Sequence, residues 1–243
     1  MRFARRMILA FLLLFVAPIA VSAALWHVGD DGTPWRSRDR GSAGLLADPA
    51  VNTDAVVRIF AARTVRWRGI FAVHSWIVVK RAGEVAYTRY DKTGWGDPIR
   101  INGFVADGRW FGDAPDVVFA ADGAAAEALI PEVEAAVAAY PYRRPGDYRA
   151  WPGPNSNTFV AFVIDRIPAI DAMLPSTAVG RDFPTDERWL IATDSGFRIR
   201  FGGYAGLALG WRDGVEINIL GAVAGLDVSR PGVKLPGVGR LGF

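Results

Sequence analysis

The chain has 243 residues, 51% of them apolar, and no cysteine; that is enough for one good-sized core, and it excludes a disulfide framework, a thiolate metal site and a thiol nucleophile. Its two histidines, His27 and His74, are too few for a histidine-rich metal centre, and no carboxylate spacing replaces one, so neither metal nor other cofactor is expected. The formal charge of +3 is carried by Arg2, Arg5 and Arg6 ahead of an apolar stretch, and the neutral remainder removes nucleic acid from the expected partners.

Residues 7–25 are uncharged, apolar on every side and of membrane-spanning length, with the three arginines on their N-terminal flank. This is the pattern of an export signal. Val21-Ser22-Ala23 supplies small residues for cleavage, and the segment is equally long enough to remain as a transmembrane anchor; residues 1–25 are read as signal peptide or anchor. Either outcome places the chain in the cell envelope, inner-membrane anchored or periplasmic. With no polar face, this helix is expected to stand detached from the core. Residues 26–53 are polar and rich in glycine, a linker, and one globular α+β domain is expected over 54–243.

The domain opens with a strand at Val56, Val57, Ile59 and Phe60, followed by a second over 70–80 that is rich in β-branched and aromatic residues. His74 falls in its middle. Arg81-Ala82-Gly83-Glu84 predicts a tight turn and 85–91 a returning strand. If the turn centres on Ala82-Gly83, Lys80 pairs with Val85 and His74 faces Asp91; a slip of one residue substitutes Tyr90. Residues 99–101 read as a short strand, and Trp110-Phe111-Gly112 as a packing and turn device. Residues 123–140 carry Leu129, Ile130, Val133 and Val137 at helical spacing around Pro131, with Glu127, Glu132 and Glu134 as the solvated face.

The central element follows 148–151, read as a short approach strand. Trp151-Pro152-Gly153-Pro154 cannot continue any regular element, and Asn155 or Ser156 then caps a helix that is apolar nearly all round until Pro168. Such a start, with unpaired N–H groups and the positive end of the dipole, caps a helix or serves a nucleophile. Beyond it, Phe197/Ile199/Phe201, Leu207/Leu209/Trp211 and Val215/Ile217/Ile219 alternate around a turn at Arg212-Asp213-Gly214. They predict an antiparallel meander with one apolar face, ending in an extended tail over 231–243.

A strand histidine followed by a helix opening Asn155-Ser156-Asn157-Thr158-Phe159 resembles the circularly permuted papain-like hydrolases, the group of lecithin:retinol acyltransferase and the deSUMOylating peptidases. There the nucleophile is a cysteine at the helix start; here Ser156 stands in its place and Thr158 replaces a histidine. The likeness implies an antiparallel sheet packed on a central buried helix, Ser156 as nucleophile, His74 as base, Asp91 as its orienter and helix-start N–H groups as oxyanion donors. It implies further that Asn155, Asn157, Trp76 and Trp151 line the substrate site. On that arrangement the Ser156 hydroxyl lies within about 4 Å of a His74 ring nitrogen. Phe71-Ala72-Val73-His74-Ser75-Trp76, Gly94-Trp95-Gly96, Trp110-Phe111-Gly112, 151–159 and 235–241 also resemble, over the whole of 55–243, a bacterial family known as domain of unknown function 3750, which names no activity. Two readings follow: a serine-dependent hydrolase or acyltransferase of the cell envelope acting on an amide or ester, or a non-catalytic envelope binding or scaffold domain of the same fold. The expected partners are an envelope small molecule, lipid or peptide, and the membrane itself through the N-terminal segment.

Overall fold

The computed structural model describes residues 2–193, 196–211 and 213–242. The apolar N-terminal segment forms helix α1, Arg2–Gly29, long and apolar enough to cross a membrane at about 42 Å for its 28 residues. A wider π-helical turn at Leu12–Val16 precedes Pro18, whose ring would otherwise collide with the carbonyl one turn back. Most of its large side chains are exposed, but the helix is not detached. Phe15, Pro18 and Ser22 are buried against the domain, and the Ser22 hydroxyl donates to the carbonyls of Ile70 and Gly237.

Five antiparallel strands form the first sheet: β1 (Val56–Arg63), β2 (Val73–Lys80), β3 (Thr88–Lys92), β4 (Ile99–Ile101) and β5 (Asp116–Asp122), in the order β4-β3-β2-β1-β5. β5 was not expected, and Ile70 ends a 3-10 turn (Arg66–Ile70) with Phe71 and Ala72 leading from it into β2, so His74 is the second residue of its strand and not its middle. One face of the sheet packs Val57, Ile59, Ile77 and Val79 against helices α2 (Gly123–Ala139) and α3 (Ser156–Arg166). The other packs Phe60, Trp76 and Val78 against Trp110 and Phe111. Over that second face lies the stretch read as a linker; it is irregular but tethered, with the Ser42 hydroxyl and the Leu45 N–H both donating to Asp107 at 2.8 Å. α2 runs through Pro131, and of its solvated acids Glu134 pairs with Arg81 while Glu127 accepts from the Ala82 N–H.

The second sheet is the expected meander in seven strands: β6 (Leu190–Thr193), β7 (Gly196–Phe201), β8 (Ala205–Gly210), β9 (Gly214–Ile219), β10 (Ala222–Asp227), β11 (Gly232–Leu235) and β12 (Gly239–Gly242). The tail is therefore a hairpin. Of the turn at 212–214, Arg212 lies outside the described residues, as does Phe243 at the end of the chain. The ladders align one residue per strand into rows: Ala192, Phe197, Leu209, Val215, Leu226, Val233 and Leu241 on one face, Ile191, Arg198, Ala208, Glu216, Gly225, Lys234 and Arg240 on the other. The charged face is the one turned inward. Glu216 pairs there with Lys234 and with Arg181, and Arg198 bridges Asp213 and Asp165. The apolar face points out.

Candidate active site

The start of α3 is fixed by its cap. Asn155 is extended, and its side-chain oxygen accepts from the N–H groups of Asn157 (2.9 Å) and Thr158 (3.1 Å), while the Thr158 hydroxyl accepts from the Asn155 N–H. This is a capping box with threonine in the place usually held by glutamate. The Asn155 amide donates to the carbonyls of Ala150 and Val179, and that of Asn157 to those of Val73 and Val179. Ser75 on β2 closes the arrangement by donating to the Asn157 side-chain oxygen at 2.9 Å. Thus both asparagines have every side-chain polar atom engaged, Asn155 with backbone and Asn157 with backbone and Ser75. Ser156 between them does not: among the described residues neither its hydroxyl nor its N–H has a protein hydrogen-bond partner. The cap consumes the next two N–H groups, which leaves the Ser156 N–H as the donor available to an oxyanion.

His74 belongs to a network on the opposite face of the sheet. Its Nε2 lies 2.9 Å from an Asp91 oxygen, and Arg89 holds the same carboxylate through Nε (2.7 Å) and Nη2 (2.8 Å). The pairing arises by another register than expected. Val79 sits opposite Thr88 and Ile77 opposite Tyr90, two residues away from the ladder of a two-residue turn, because the strands do not pair across 81–87. A two-residue displacement preserves the face, so Asp91 remains beside His74 as a diagonal neighbour. The imidazole stacks on Trp110 with ring centroids 3.7 Å apart, and the Arg89 guanidinium lies 4.0 Å over the Trp76 ring.

Burial pushes the imidazole below its ordinary value, against the Asp91 hydrogen bond that favours the charged form. Burial also disfavours the carboxylate, but His74 and Arg89 outweigh it and hold Asp91 below the usual carboxylate range. An ionised Asp91 only accepts, so Nε2 carries the proton and the Nδ1 lone pair is free; among the described residues no protein group bonds to it.

His74 and Ser156 both line one cavity of about 960 Å³. Asn155, Asn157 and Trp151 line it too, as do Trp95 and Trp110, and α1 contributes Phe11, Phe15 and Ile19 as an apolar wall. Trp151 stands half-exposed, its indole donating to the Leu220 carbonyl. Trp76 does not line the cavity: it is fully buried under Arg89, its indole N–H spent on Ala106. No hydrogen bond joins His74 to Ser156, because strand alternation turns Ser75, not His74, toward α3. The two reach the cavity around the N-terminal end of β2. Sequence reasoning missed Arg89, whose signal was its i,i+2 spacing from Asp91 on one strand face, and Trp110, which had been read as packing alone. It also missed the loop 176–181 that receives the cap, for which the Thr158 hydroxyl's bond to Gly180 is the structural sign. No cluster of metal-binding side chains occurs among the described residues.

Residues 54–183, more than half of the chain and the whole of the first sheet with α2 and α3, match the family described as protein of unknown function (DUF3750). The chain belongs to that family. The DUF3750 span contains His74, Asp91 and Ser156 and stops before β6, so it is shorter than the likeness expected over 55–243 and leaves out the motif at 235–241. No curated protein and no solved structure matches the chain.

Proposed function

We propose that the protein is a serine-dependent hydrolase or acyltransferase of the cell envelope, held at the inner membrane or in the periplasm and acting on an amide or ester with an apolar acyl part. What supports this most is that an unengaged serine at a helix start and a neutral, carboxylate-oriented imidazole with its second nitrogen unoccupied open onto one largely apolar cavity. In the proposed reaction Ser156 Oγ attacks the carbonyl carbon, and its proton passes to His74 Nδ1 through one bridging water. The oxyanion is met by the Ser156 N–H at the positive end of α3. Collapse of the tetrahedral intermediate expels the amine or alcohol, which takes the proton from His74. A water or acceptor hydroxyl, deprotonated by His74, then attacks the acyl-serine carbonyl, and collapse breaks the bond to Ser156 Oγ, which takes that proton back from His74.

A second reading is favoured by one observation: β2 alternation sends His74 away from α3. On that reading the cavity binds its ligand without turnover. A fluorophosphonate probe separates them on the full chain. Labelling of the wild type, lost in both Ser156→Ala and His74→Gln, supports catalysis. Absence of labelling, or labelling that survives Ser156→Ala, leaves a binding domain.

A further inference from the structure

We infer that the outward face of the seven-stranded meander rests on the lipid bilayer, forming a broad membrane contact independent of the chemistry at Ser156. Water-soluble sheets turn their apolar side inward, and this one is reversed. Phe201, Val215, Ile217, Leu226, Val233 and Leu241 are 38–57% exposed, while alternate positions turn inward: Glu216 forms buried ion pairs with Arg181 of the first half and with Lys234 two strands away, and Arg198 reaches Asp165 of α3. Six intervals of about 4.8 Å across strands of about 20 Å give roughly 600 Å² of face, at the upper limit of apolar patches on soluble monomers.

The helix beside it decides the occupant. α1 is the one described helix long and apolar enough to cross a membrane. Its middle, not its end, meets the meander: Phe15 and Ile19 share the cavity wall with the turns at 219–222 and 236–237, and Ser22 donates to Gly237. Whatever surrounds the middle of α1 therefore also reaches that end of the sheet. A protein partner is less suited, because docking faces carry polar groups that fix register, whereas none of the outward-facing strand positions in the three cross-strand rows of this face bears a charge or hydroxyl among the described residues. Exposed aromatics flank the strand ends instead, Trp189 and Tyr204 at one and Trp211 at the other, as at bilayer interfaces. The strands are too short to span the hydrocarbon, and the free edges of β6 and β12 would be unsatisfied inside it. The face therefore lies flat against one leaflet.

The absence of cysteine makes the test direct. The full chain is reconstituted in phosphatidylethanolamine/phosphatidylglycerol vesicles with the fluorophore NBD on Ile217→Cys, on Leu226→Cys, or on Glu84→Cys in an exposed turn of the first half. Bilayer contact predicts blue-shifted emission at 217 and 226, quenched by nitroxide-bearing lipid and protected from aqueous iodide, with the reverse at 84. Iodide quenching at 217 and 226 equal to that at 84 would overturn the inference. So would protection from both quenchers, the signature of a second copy or other protein covering the face.

Discussion

Replacing Asp91 by asparagine tests the network behind the imidazole with almost no change of shape. Arg89 donates to both carboxylate oxygens, at 2.7 and 2.8 Å, and His74 shares one of them at 2.9 Å. Asparagine has a single acceptor oxygen, so whichever way its amide turns, its NH₂ must face an Arg89 N–H. Arg89 and Asp91 are 1% and 0% exposed, and breaking such a pair leaves a buried cation uncompensated, at a cost of about 3–5 kcal/mol. The Val105 carbonyl and the Trp76 face still serve Arg89, which places Asp91→Asn near the lower figure, about 3 kcal/mol. Denaturant unfolding of the full chain in micelles, followed by tryptophan emission, measures it. Adding Arg89→Met removes the stranded charge, so the double variant should be less destabilised than the sum of the singles by about 1–3 kcal/mol. A loss for Asp91→Asn below about 1 kcal/mol, the range of solvent-exposed pairs, or strict additivity of the two changes, would refute the account.

Gly180→Ala should cost about 2–4 kcal/mol, since φ there is +92° and a Cβ would stand 2.3 Å from the Asn155 amide nitrogen, combining backbone strain with a damaged cap; a change within about 0.5 kcal/mol by the same unfolding assay contradicts this. Acid should weaken the fold in two stages. Because His74 sits below its ordinary 6.5, its contribution is fully present above that value and is lost as pH falls toward the lower folded value; the Asp91 contribution is present above 3.8 and is lost as pH falls through its own depressed value. Stability unchanged between about pH 6.5 and pH 5 would remove the first stage. If Ser156 labels, its labelling rate should fall on the acid side with a midpoint below the ordinary imidazole value, and a midpoint above it would mean that His74 is not the base.

How much of this was legible depends on whether the deciding interaction is local. The start of α3 was, because two prolines, a glycine and Asn155 act within one turn. So were the meander's strands over 197–219, by alternation alone, and the company of His74 and Asp91, because a hairpin leaves few registers and a two-residue error keeps the face. β5 escaped notice because Asp116-Val117-Val118-Phe119-Ala120-Ala121-Asp122 lacks alternation and runs straight into α2. The face of the sheet that each site residue takes is a tertiary property. Nothing within 70–80 says that Ser75 rather than His74 turns to α3; only the apolar partners of Ile77 and Val79 decide it.

The same principle governs the meander, where alternation names two faces without saying which is inside. The choice was made by what the rest of the chain offers as a partner. Asp165 projects from α3 and Arg181 and Asp182 from the loop after it, and these find Arg198, Glu216 and Asn218 across the interface. Turning the sheet over would strand several buried charges to bury aliphatic side chains, and each unpaired ion costs several kcal/mol against about 1.5–3 kcal/mol for a fully buried aliphatic side chain. Arg181 also ties this interface to the site. It follows Gly180, whose carbonyl accepts from the Thr158 hydroxyl, and Val179, whose carbonyl accepts from both Asn155 and Asn157. The charge layer that sends the apolar face outward is thus the same layer that steadies the loop against the cap of α3, and with it the position of Ser156.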